Sequence, residues 1–184
     1  MRTDPIKRHQ PSHVYLDNKI YFLTVHVYDN RLFLDDKRRL EILEKFKEEF
    51  LKYHYKWYAY VILYNHYHLL FRTLNGKDLS EILKLVHGGL SYKWNKEDNC
   101  QGRRFFQNYW DYCPRDEEDF YRHLNYIHIN PIKHKIVKDF DELKKYKYSS
   151  FNKWIDKEGE DLVFGCLEAY PIGDYLVPDE EIKV

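Results

Sequence analysis

The chain has 184 residues, a length typical of a single domain with one buried core. Thirty basic side chains balance thirty acidic ones, so the formal net charge is zero, and a global electrostatic attraction to nucleic acid is excluded. Aromatic residues make up 18% of the chain, so the core is expected to be rich in rings, some of which are candidates for stacking platforms.

The first two predicted elements are a strand and a helix. Residues 19–28 alternate β-branched and aromatic residues, which predicts a strand. Its apolar side carries Tyr21, Leu23, Val25 and Val27. An amphipathic helix is predicted from Asp36, a suitable N-cap, because apolar residues recur at helical spacing through a charged background. These residues are Leu40, Leu43, Phe46, Phe50 and Leu51.

A hairpin and a second helix follow. Residues 56–63 and 66–73 are apolar runs separated by Tyr64 and Asn65, which predicts two antiparallel strands joined by a tight turn. Residues 78–96 carry apolar side chains with a 3.6-residue period, typical of a helix with one buried face. These are Leu79, Ile82, Leu83, Val86, Leu90 and Trp94.

A fourth strand and a third helix complete the pattern. Residues 103–112 alternate aromatic and polar side chains and are predicted to form the strand. Residues 115–119 place acids in the first turn of the helix, whose buried stripe is expected at Phe120, Leu124 and Ile127. The order β-α-β-β-α-β with an added C-terminal helix predicts an α+β, ferredoxin-like (split βαβ) fold. Its antiparallel sheet would carry helices on one face and leave the other free for the added helix.

The domain organisation is expected to be simple. Residues 1–156 are predicted as one domain, in which residues 146–154 fit a packed loop or a short helix equally well. Residues 157–184 are expected to form an irregular tail. The three cysteines are odd in number and far apart, and residues 1–14 lack the apolar core of a signal peptide. We therefore expect a soluble cytoplasmic protein.

Two histidines form the first candidate site. His66 and His68 lie at the start of a predicted strand, where residues i and i+2 point to the same face, so both imidazoles can reach one ion. With ten histidines in the chain, a chance His-x-His pair is expected roughly 0.5 times. The pair alone is therefore as compatible with an ordinary surface pair as with a metal site.

The third helix adds a polar pair. Tyr126 and Asn130 are four residues apart and share one helical face with Arg122, away from the apolar stripe, so they are expected to form an exposed ridge. If this ridge packs over His66 and His68, the Asn130 amide oxygen becomes a third ligand. Two imidazoles and an amide oxygen suit a divalent ion such as Mg or Mn, although imidazole also accepts Zn, Ni or Co.

Tyr126 is a candidate nucleophile for phosphoryl transfer. In-line attack by its hydroxyl on a metal-bound phosphate would give a phosphotyrosine that conserves bond energy for rejoining. A phenol has a pKa of about 10, so a neighbour, the metal or a bound water must remove the proton. One tyrosine among 18 is, however, most often a half-buried packing residue, and this alternative stays open at this point.

Two stretches of the sequence resemble the REP-associated tyrosine transposases, within the single-tyrosine HUH superfamily. Residues 60–71 resemble the family's strand-turn-strand with the HUH pair, although Tyr64 stands where many relatives carry proline. Residues 115–134 resemble the family's catalytic helix over its whole length. Landmarks at residues 103–105 and 148–151 extend the resemblance over roughly residues 15–155.

The resemblance implies a role for each candidate residue. Tyr126 takes the nucleophile position, His66 and His68 take the metal-ligand positions, and Asn130 takes the place of the amide ligand. The implied activity is metal-dependent nicking and rejoining of single-stranded DNA near hairpins through a covalent phosphotyrosine. A bacterial, nucleoid-associated protein is implied, and both a monomer and a homodimer are compatible with the superfamily.

Cationic side chains around the third helix are candidates for DNA binding, since single strands are held by cations and stacked rings. They are Arg103, Arg104, Arg122, Lys133, His134, Lys135 and Lys138. For each of them a solvated surface position is an equally good interpretation. The acidic first turn would repel phosphates, so DNA is expected at the Tyr126 to Asn130 end of the helix.

Two other functions fit parts of the pattern. The main alternative is a non-catalytic nucleic-acid-binding module of ferredoxin-like fold with structural histidines, for which metal-independent binding without cleavage is expected. A zinc hydrolase would need a further His or carboxylate ligand, which nothing at suitable spacing supplies. The histidines of the third helix, His123, His128 and His134, point in different directions and fit no shared ligand geometry.

Overall fold

Four strands form one antiparallel sheet in the computed structural model, which describes residue 13 and residues 15–173. The strands are β1 (Ile20–His26), β2 (Lys56–Ile62), β3 (His66–Arg72) and β4 (Trp110–Tyr112), in the spatial order β2-β3-β1-β4. The central pair runs in register from Ile20 opposite Arg72 to His26 opposite His66. This strand order is that of the split βαβ unit, so the predicted ferredoxin-like fold is confirmed.

Six α-helices occur in the described part of the chain. They are α1 (Asp36–Lys52), α2 (Asp78–Glu97), α3 (Glu117–Lys133), α4 (Phe140–Lys144), α5 (Phe151–Glu158) and α6 (Glu160–Ala169). The N-cap of α1 is Asp35, which accepts a hydrogen bond from the Arg38 backbone, so the predicted cap was one residue late. No helix between residues 15 and 173 has the length and apolar content required to cross a membrane.

The main core lies between the sheet and the pair α1 and α2. The predicted apolar side of β1 faces this core, together with Tyr67, Leu69 and Phe71 of β3. All six predicted apolar residues of α2 are buried, as its period indicates. The stripe predicted for α1 is partly wrong, because Leu40 and Leu51 are 39% and 79% exposed. These two leucines lie outside the buried face, which follows the 3.6-residue period from Arg39 through Ile42 and Phe46 to Glu49.

The opposite face of the sheet is covered by α3. Leu124, Tyr126 and Ile127 of α3 pack on Phe22 of β1 and Leu70 of β3, together with apolar residues of β2. Alternation along β1 and β3 produces these two faces, since successive side chains point to opposite sides. The sheet is therefore enclosed between two helical layers, and the polar residues of its α3 face are buried.

The predicted fourth strand is shorter in the structure. Only Trp110–Tyr112 pairs with β1, and residues 103–109 contribute one isolated bridge, between Phe106 and Val27. Phe105 and Phe106 instead enter the main core, where the Phe105 ring lies 4.7 Å from Trp94 between centroids. Burial of two large rings outweighs continued strand pairing at this edge, because each fully buried ring contributes roughly 1.5–3 kcal/mol.

The C-terminal region is more ordered than predicted. Residues 151–158 form α5, and α6 places Val163 in a small core with Leu143 and Phe151. The Asn125 side chain donates hydrogen bonds to the carbonyl oxygens of Cys166 and Tyr170, at 3.0 and 2.8 Å. The predicted irregular tail is therefore wrong for residues 157–158, which end α5, and for residues 160–169, which form α6 and contact distant residues of α3 and α4. The domain boundary at residue 157 stays a prediction, and residues 174–184 lie outside the described residues.

Stability is expected to fall in mild acid because of a buried histidine on α3. His128 is fully buried and stacks on Trp154. A hydrogen bond of 2.9 Å joins its Nε2 atom to the Ser150 hydroxyl. Burial lowers the pKa of His128 from 6.5 to about 3. His128 therefore binds a proton near pH 6.5 in the unfolded chain but only near pH 3 in the folded chain. Its contribution to the free energy of unfolding is complete above about pH 6.5 and is lost as the pH falls towards 3.

Urea unfolding at several pH values tests this expectation. As the pH falls from about 6.5 to about 5, the titration of His128 is expected to lower the free energy of unfolding by roughly 2 kcal/mol. His128→Gln keeps a polar group for Ser150 but removes the titration, so its stability should depend less steeply on pH. The same pH slope in both proteins would contradict this assignment.

Candidate active site

His66 and His68 lie on the α3 face of the sheet, at the start of β3. Strand alternation places Tyr67, between them, in the main core and both imidazoles on the other side. The two ring centroids are 5.0 Å apart, and both residues are fully buried. The geometry that the sequence pattern predicts for this pair is therefore present, two rings on one face within reach of a common ion.

Each of these rings is held at its Nδ1 atom. His66 Nδ1 lies 2.7 Å from Asn65 Oδ1, and His68 Nδ1 lies 2.9 Å from Thr24 Oγ1. Asn65 Oδ1 only accepts, so His66 Nδ1 carries the proton and Nε2 carries the lone pair. Contacts of this kind orient imidazoles that bind metals through the other ring nitrogen.

Tyr126 and Asn130 of α3 lie above the histidines, but they do not form the exposed ridge that their spacing suggested. Both are fully buried, because the polar face of α3 also packs against the sheet. The Tyr126 ring meets the His68 ring edge-on at 5.4 Å and the Phe22 ring at 6.0 Å, between centroids. The prediction of exposure is wrong, whereas the shared helical face is correct.

Several buried polar atoms at this site lack hydrogen bonds to the part of the chain that the structure describes. Among them are His66 Nε2, His134 Nε2 and both side-chain atoms of Asn130, Oδ1 and Nδ2. Leaving a buried polar group unsatisfied costs about 1–3 kcal/mol, so this arrangement favours a ligand at their centre. The residues therefore fit a divalent ion bound by imidazole nitrogens and an amide oxygen.

A third ligand for an ion at His66 and His68 would come from a residue type other than those most often found at metal sites. Within residues 13 and 15–173, no three His, Cys, Asp or Glu side chains are grouped closely enough to hold an ion. The zinc hydrolase alternative therefore gains no ligand from the described residues. The Asn130 amide oxygen can complete a set with His66 and His68, and oxygen ligands suit Mg or Mn.

Burial keeps the paired imidazoles neutral. It holds the pKa of His66 well below its usual range, and the nearby rings of His68, His26 and His134 act in the same direction. Contact with Asn130 opposes these effects without cancelling them. Burial likewise lowers the pKa of His68, assisted by His26 and His134. Neutral imidazole is the form that binds metals, so these pKa values favour ligation near neutral pH.

The site includes residues that sequence reasoning missed. His26 lies directly opposite His66 in β1, with the rings stacked at 5.1 Å between centroids. Thr24, opposite His68, and Asn65, in the turn, orient the imidazoles. The side of β1 opposite its apolar residues carries Thr24 and His26, and this alternation was the available signal. Only the β1–β3 register, which the sequence does not reveal, brings them to the histidine pair.

Of the seven residues predicted to bind DNA, two lie at the site. Lys133 Nζ donates a hydrogen bond to the Tyr126 hydroxyl at 3.1 Å, and the His134 ring meets the His66 ring at 5.0 Å between centroids. Burial lowers the pKa of Lys133, and burial with the neighbouring Lys133 charge lowers the pKa of His134 to about 4. Lys135 follows, exposed and in the left-handed backbone region with φ 55°.

Two of the other five predicted DNA-binding residues are arginines whose side chains contact other residues of this chain. Arg103 pairs with Asp98 at 2.6 Å and stacks on Phe105, on the α1 and α2 side of the sheet. Arg104 lies over the Tyr28 ring. A DNA contact from either arginine stays a prediction and would require an exchange of these partners.

Arg122 and Lys138 are available at the surface. Arg122 precedes Tyr126 by one turn of α3 and pairs with Glu118 at 2.6 Å, with both side chains largely exposed. The Lys138 side chain is 86% exposed and lies 3.8 Å from Glu142. Exposed ion pairs of this kind contribute little stability, so a phosphate can replace the carboxylate at small cost.

Comparison with known proteins supports the resemblance seen in the sequence. No family profile matches the chain. A putative REP-associated tyrosine transposase of Haemophilus influenzae is 27% identical over 153 residues, which cover 76% of this chain and 83% of the relative. A REP-associated tyrosine transposase of Escherichia coli is 26% identical over 101 residues, which cover 52% of this chain and 53% of the relative.

A solved structure shares the fold. It is a REP-associated tyrosine transposase bound to a REP hairpin, with a TM-score of 0.69 and 21% sequence identity. The match covers 96% of this chain and 99% of the solved one, so it includes both helical layers and the C-terminal helices. The similarity predicted from residues 60–71 and 115–134 is confirmed by relatives in sequence and in fold.

Proposed function

Because the chain is related to the REP-associated tyrosine transposases, we propose that it nicks and rejoins single-stranded DNA near hairpins, in a metal-dependent reaction with a covalent phosphotyrosine intermediate. One observation carries the proposal. Tyr126, Asn130, His66 and His68 lie together in the interior, around polar atoms of His66 and Asn130 that the described residues leave unsatisfied. The hairpin bound to the solved relative supports hairpin DNA as the partner.

His66, His68 and Asn130 would hold a divalent ion, with Mg or Mn preferred for the oxygen ligand and the phosphate. When bound, such an ion polarises a non-bridging oxygen of the scissile phosphate and orients the bond to be broken. Asn65 and Thr24 fix the imidazole orientations beforehand, at 2.7 and 2.9 Å. Pre-orientation of this kind lowers the cost of organising the site at the moment of reaction.

Tyr126 supplies the nucleophile in the proposed reaction. Its hydroxyl loses a proton to water, the phenolic oxygen forms a bond to phosphorus, and the ester bond to one flanking nucleoside breaks. The released DNA hydroxyl takes a proton from water. Attack by the hydroxyl of an incoming strand reverses these steps and frees the tyrosine. The phosphotyrosine thus conserves the ester bond without an external energy source.

Access to Tyr126 is expected from the C-terminal end of α3. Tyr126 itself is fully buried, and Lys133, whose side chain contacts its hydroxyl, is exposed at the helix end. The acidic first turn of α3, with Glu117, Glu118 and Asp119, lies at the other end and repels phosphates. DNA is therefore expected to approach past Lys133, His134 and Lys135.

A non-catalytic nucleic-acid-binding module is the second candidate function. The full burial of Tyr126 favours it, because a packed tyrosine is a common structural element. Incubation with a single-stranded REP hairpin and Mn²⁺, followed by denaturing electrophoresis of the protein, separates the two candidates. A protein band of reduced mobility supports the enzyme, whereas hairpin binding that needs no metal and gives no such band supports the module.

The metal site can be tested without DNA. We expect the protein to bind one Mn²⁺ at high affinity, and His68→Gln or Asn130→Leu to weaken binding by on the order of 100-fold. His128→Gln is a matched control, because it changes another buried histidine on the α3 side of the sheet. Titration calorimetry and the Mn²⁺-dependent rise in melting temperature measure the effect. Equal affinity in the parent and His68→Gln would rule out this site.

A further inference from the structure

Lys133 makes two contacts with the same tyrosine. It lies seven residues after Tyr126, two turns along α3, so the two side chains share one face. Its ammonium donates to the Tyr126 hydroxyl at 3.1 Å and stands 4.5 Å from the centroid of the ring. Phe22 and His68 hold the ring itself at 6.0 and 5.4 Å between centroids. Lys133 therefore meets the one atom of Tyr126 that the proposed reaction uses.

We infer that Lys133 is a positioning residue for the nucleophile, which aims the Tyr126 oxygen and stabilises its phenolate by positive charge. The inference rests on the proposed function. An ammonium group has three donors and no acceptor, so it binds the phenolic oxygen as a donor and leaves the phenolic proton to water. The interaction strengthens as negative charge develops on the oxygen, because partial burial reduces screening of the pair.

The same contact assists both directions of the reaction. During cleavage, Lys133 stabilises the attacking phenolate, and the electron pair of this oxygen forms the bond to phosphorus. During rejoining, the phenolate is the leaving group, and the ammonium stabilises the charge that returns to the oxygen. Lys133 was predicted from the sequence as one of several phosphate contacts. The two assignments predict different effects. Loss of a positioning residue slows the chemical step, whereas loss of a phosphate contact weakens DNA binding.

Three variants of the full chain test the inference. Lys133→Met removes the charge and keeps an unbranched side chain, Lys133→Arg keeps the charge, and Lys133→Gln replaces the Met variant if that variant does not fold. Lys47→Met is the control, because it removes one exposed charge from α1, on the opposite side of the sheet. The assay uses a REP hairpin with single-stranded flanks and Mn²⁺. The rate of covalent attachment at saturating DNA is compared with hairpin affinity at several salt concentrations.

We expect Lys133→Met to slow attachment by on the order of 100-fold, with hairpin affinity and its salt dependence nearly unchanged. Lys133→Arg should recover most of the rate, and Lys47→Met should match the parent. A phosphate contact would instead weaken binding and reduce the salt slope by about 1, and this result overturns the inference. Equal rates in the parent and Lys133→Met overturn the inference alone. Absence of attachment in the parent overturns the proposed function and the inference with it.

Discussion

Replacement of Tyr126 by phenylalanine is expected to abolish covalent attachment of DNA, lowering its rate on the order of 10⁴-fold or more. The change removes only the phenolic oxygen. The ring keeps its edge contacts with His68 and Phe22, so the fold and the metal ligands should be retained. Hairpin affinity is expected to stay close to that of the parent. Denaturing electrophoresis measures attachment, and fluorescence anisotropy with a labelled hairpin measures binding.

A second tyrosine on α3 provides the matched control. Tyr121 is half-buried and stacks on Tyr170, with ring centroids 4.9 Å apart, on a part of the helix away from the histidines. Tyr121→Phe removes the same phenolic group and should leave attachment intact. Attachment that persists in Tyr126→Phe, or disappears equally in both variants, would exclude Tyr126 as the nucleophile.

A large loss of stability is expected from Arg39→Met. The Arg39 guanidinium is almost fully buried between the rings of Tyr64 and Tyr148, at 4.3 and 3.8 Å from their centroids. It also donates to the Tyr146 hydroxyl at 2.9 Å and to the Asp36 carboxylate at 2.5 Å. Two cation–π contacts of a buried guanidinium and a part-buried hydrogen bond are lost together, so the free energy of unfolding should fall by about 3 kcal/mol.

The Arg39 contacts also bear on the site. Tyr64 belongs to the turn that leads into His66, so Arg39 ties this turn to α1 and to Tyr148. Urea unfolding measures the stability change, and Lys37→Met, at an exposed position of α1, is the control with an expected change within about 0.5 kcal/mol. Arg39→Lys keeps the charge but not the planar group, and should recover only part of the loss. An Arg39→Met protein as stable as the Lys37→Met control would show that the stack contributes nothing.

Most of the fold could be predicted from the sequence because its strongest elements depend on local periodicity. The alternation in β1 and the 3.6-residue period of α2 each reflect one buried face, and the structure has both. β4 was predicted too long because residues 105 and 106 follow tertiary burial rather than local alternation. α6 was missed because its burial depends on contacts with distant residues of α3 and α4.

The candidate site could be predicted in part for the same reason. The spacings of His66 with His68 and of Tyr126 with Asn130 are local, so strand and helix geometry places each pair on one face. Burial of Tyr126 depends on where α3 packs, which no local pattern encodes. The contribution of His26 depends on the register between two strands far apart in sequence. Long-range packing therefore accounts for what the sequence leaves undetermined.

α3 is attached both to the sheet and to the C-terminal helices, which bears on the number of copies that the proposed site requires. It lies on the sheet, and it is joined through Asn125 to α6 and through His128 to Ser150 at the start of α5. Donating this helix to a second molecule would break both sets of contacts. The proposed nucleophile and all three proposed ligands already meet within one polypeptide. We therefore expect that a second copy of the chain is not needed to complete the proposed site.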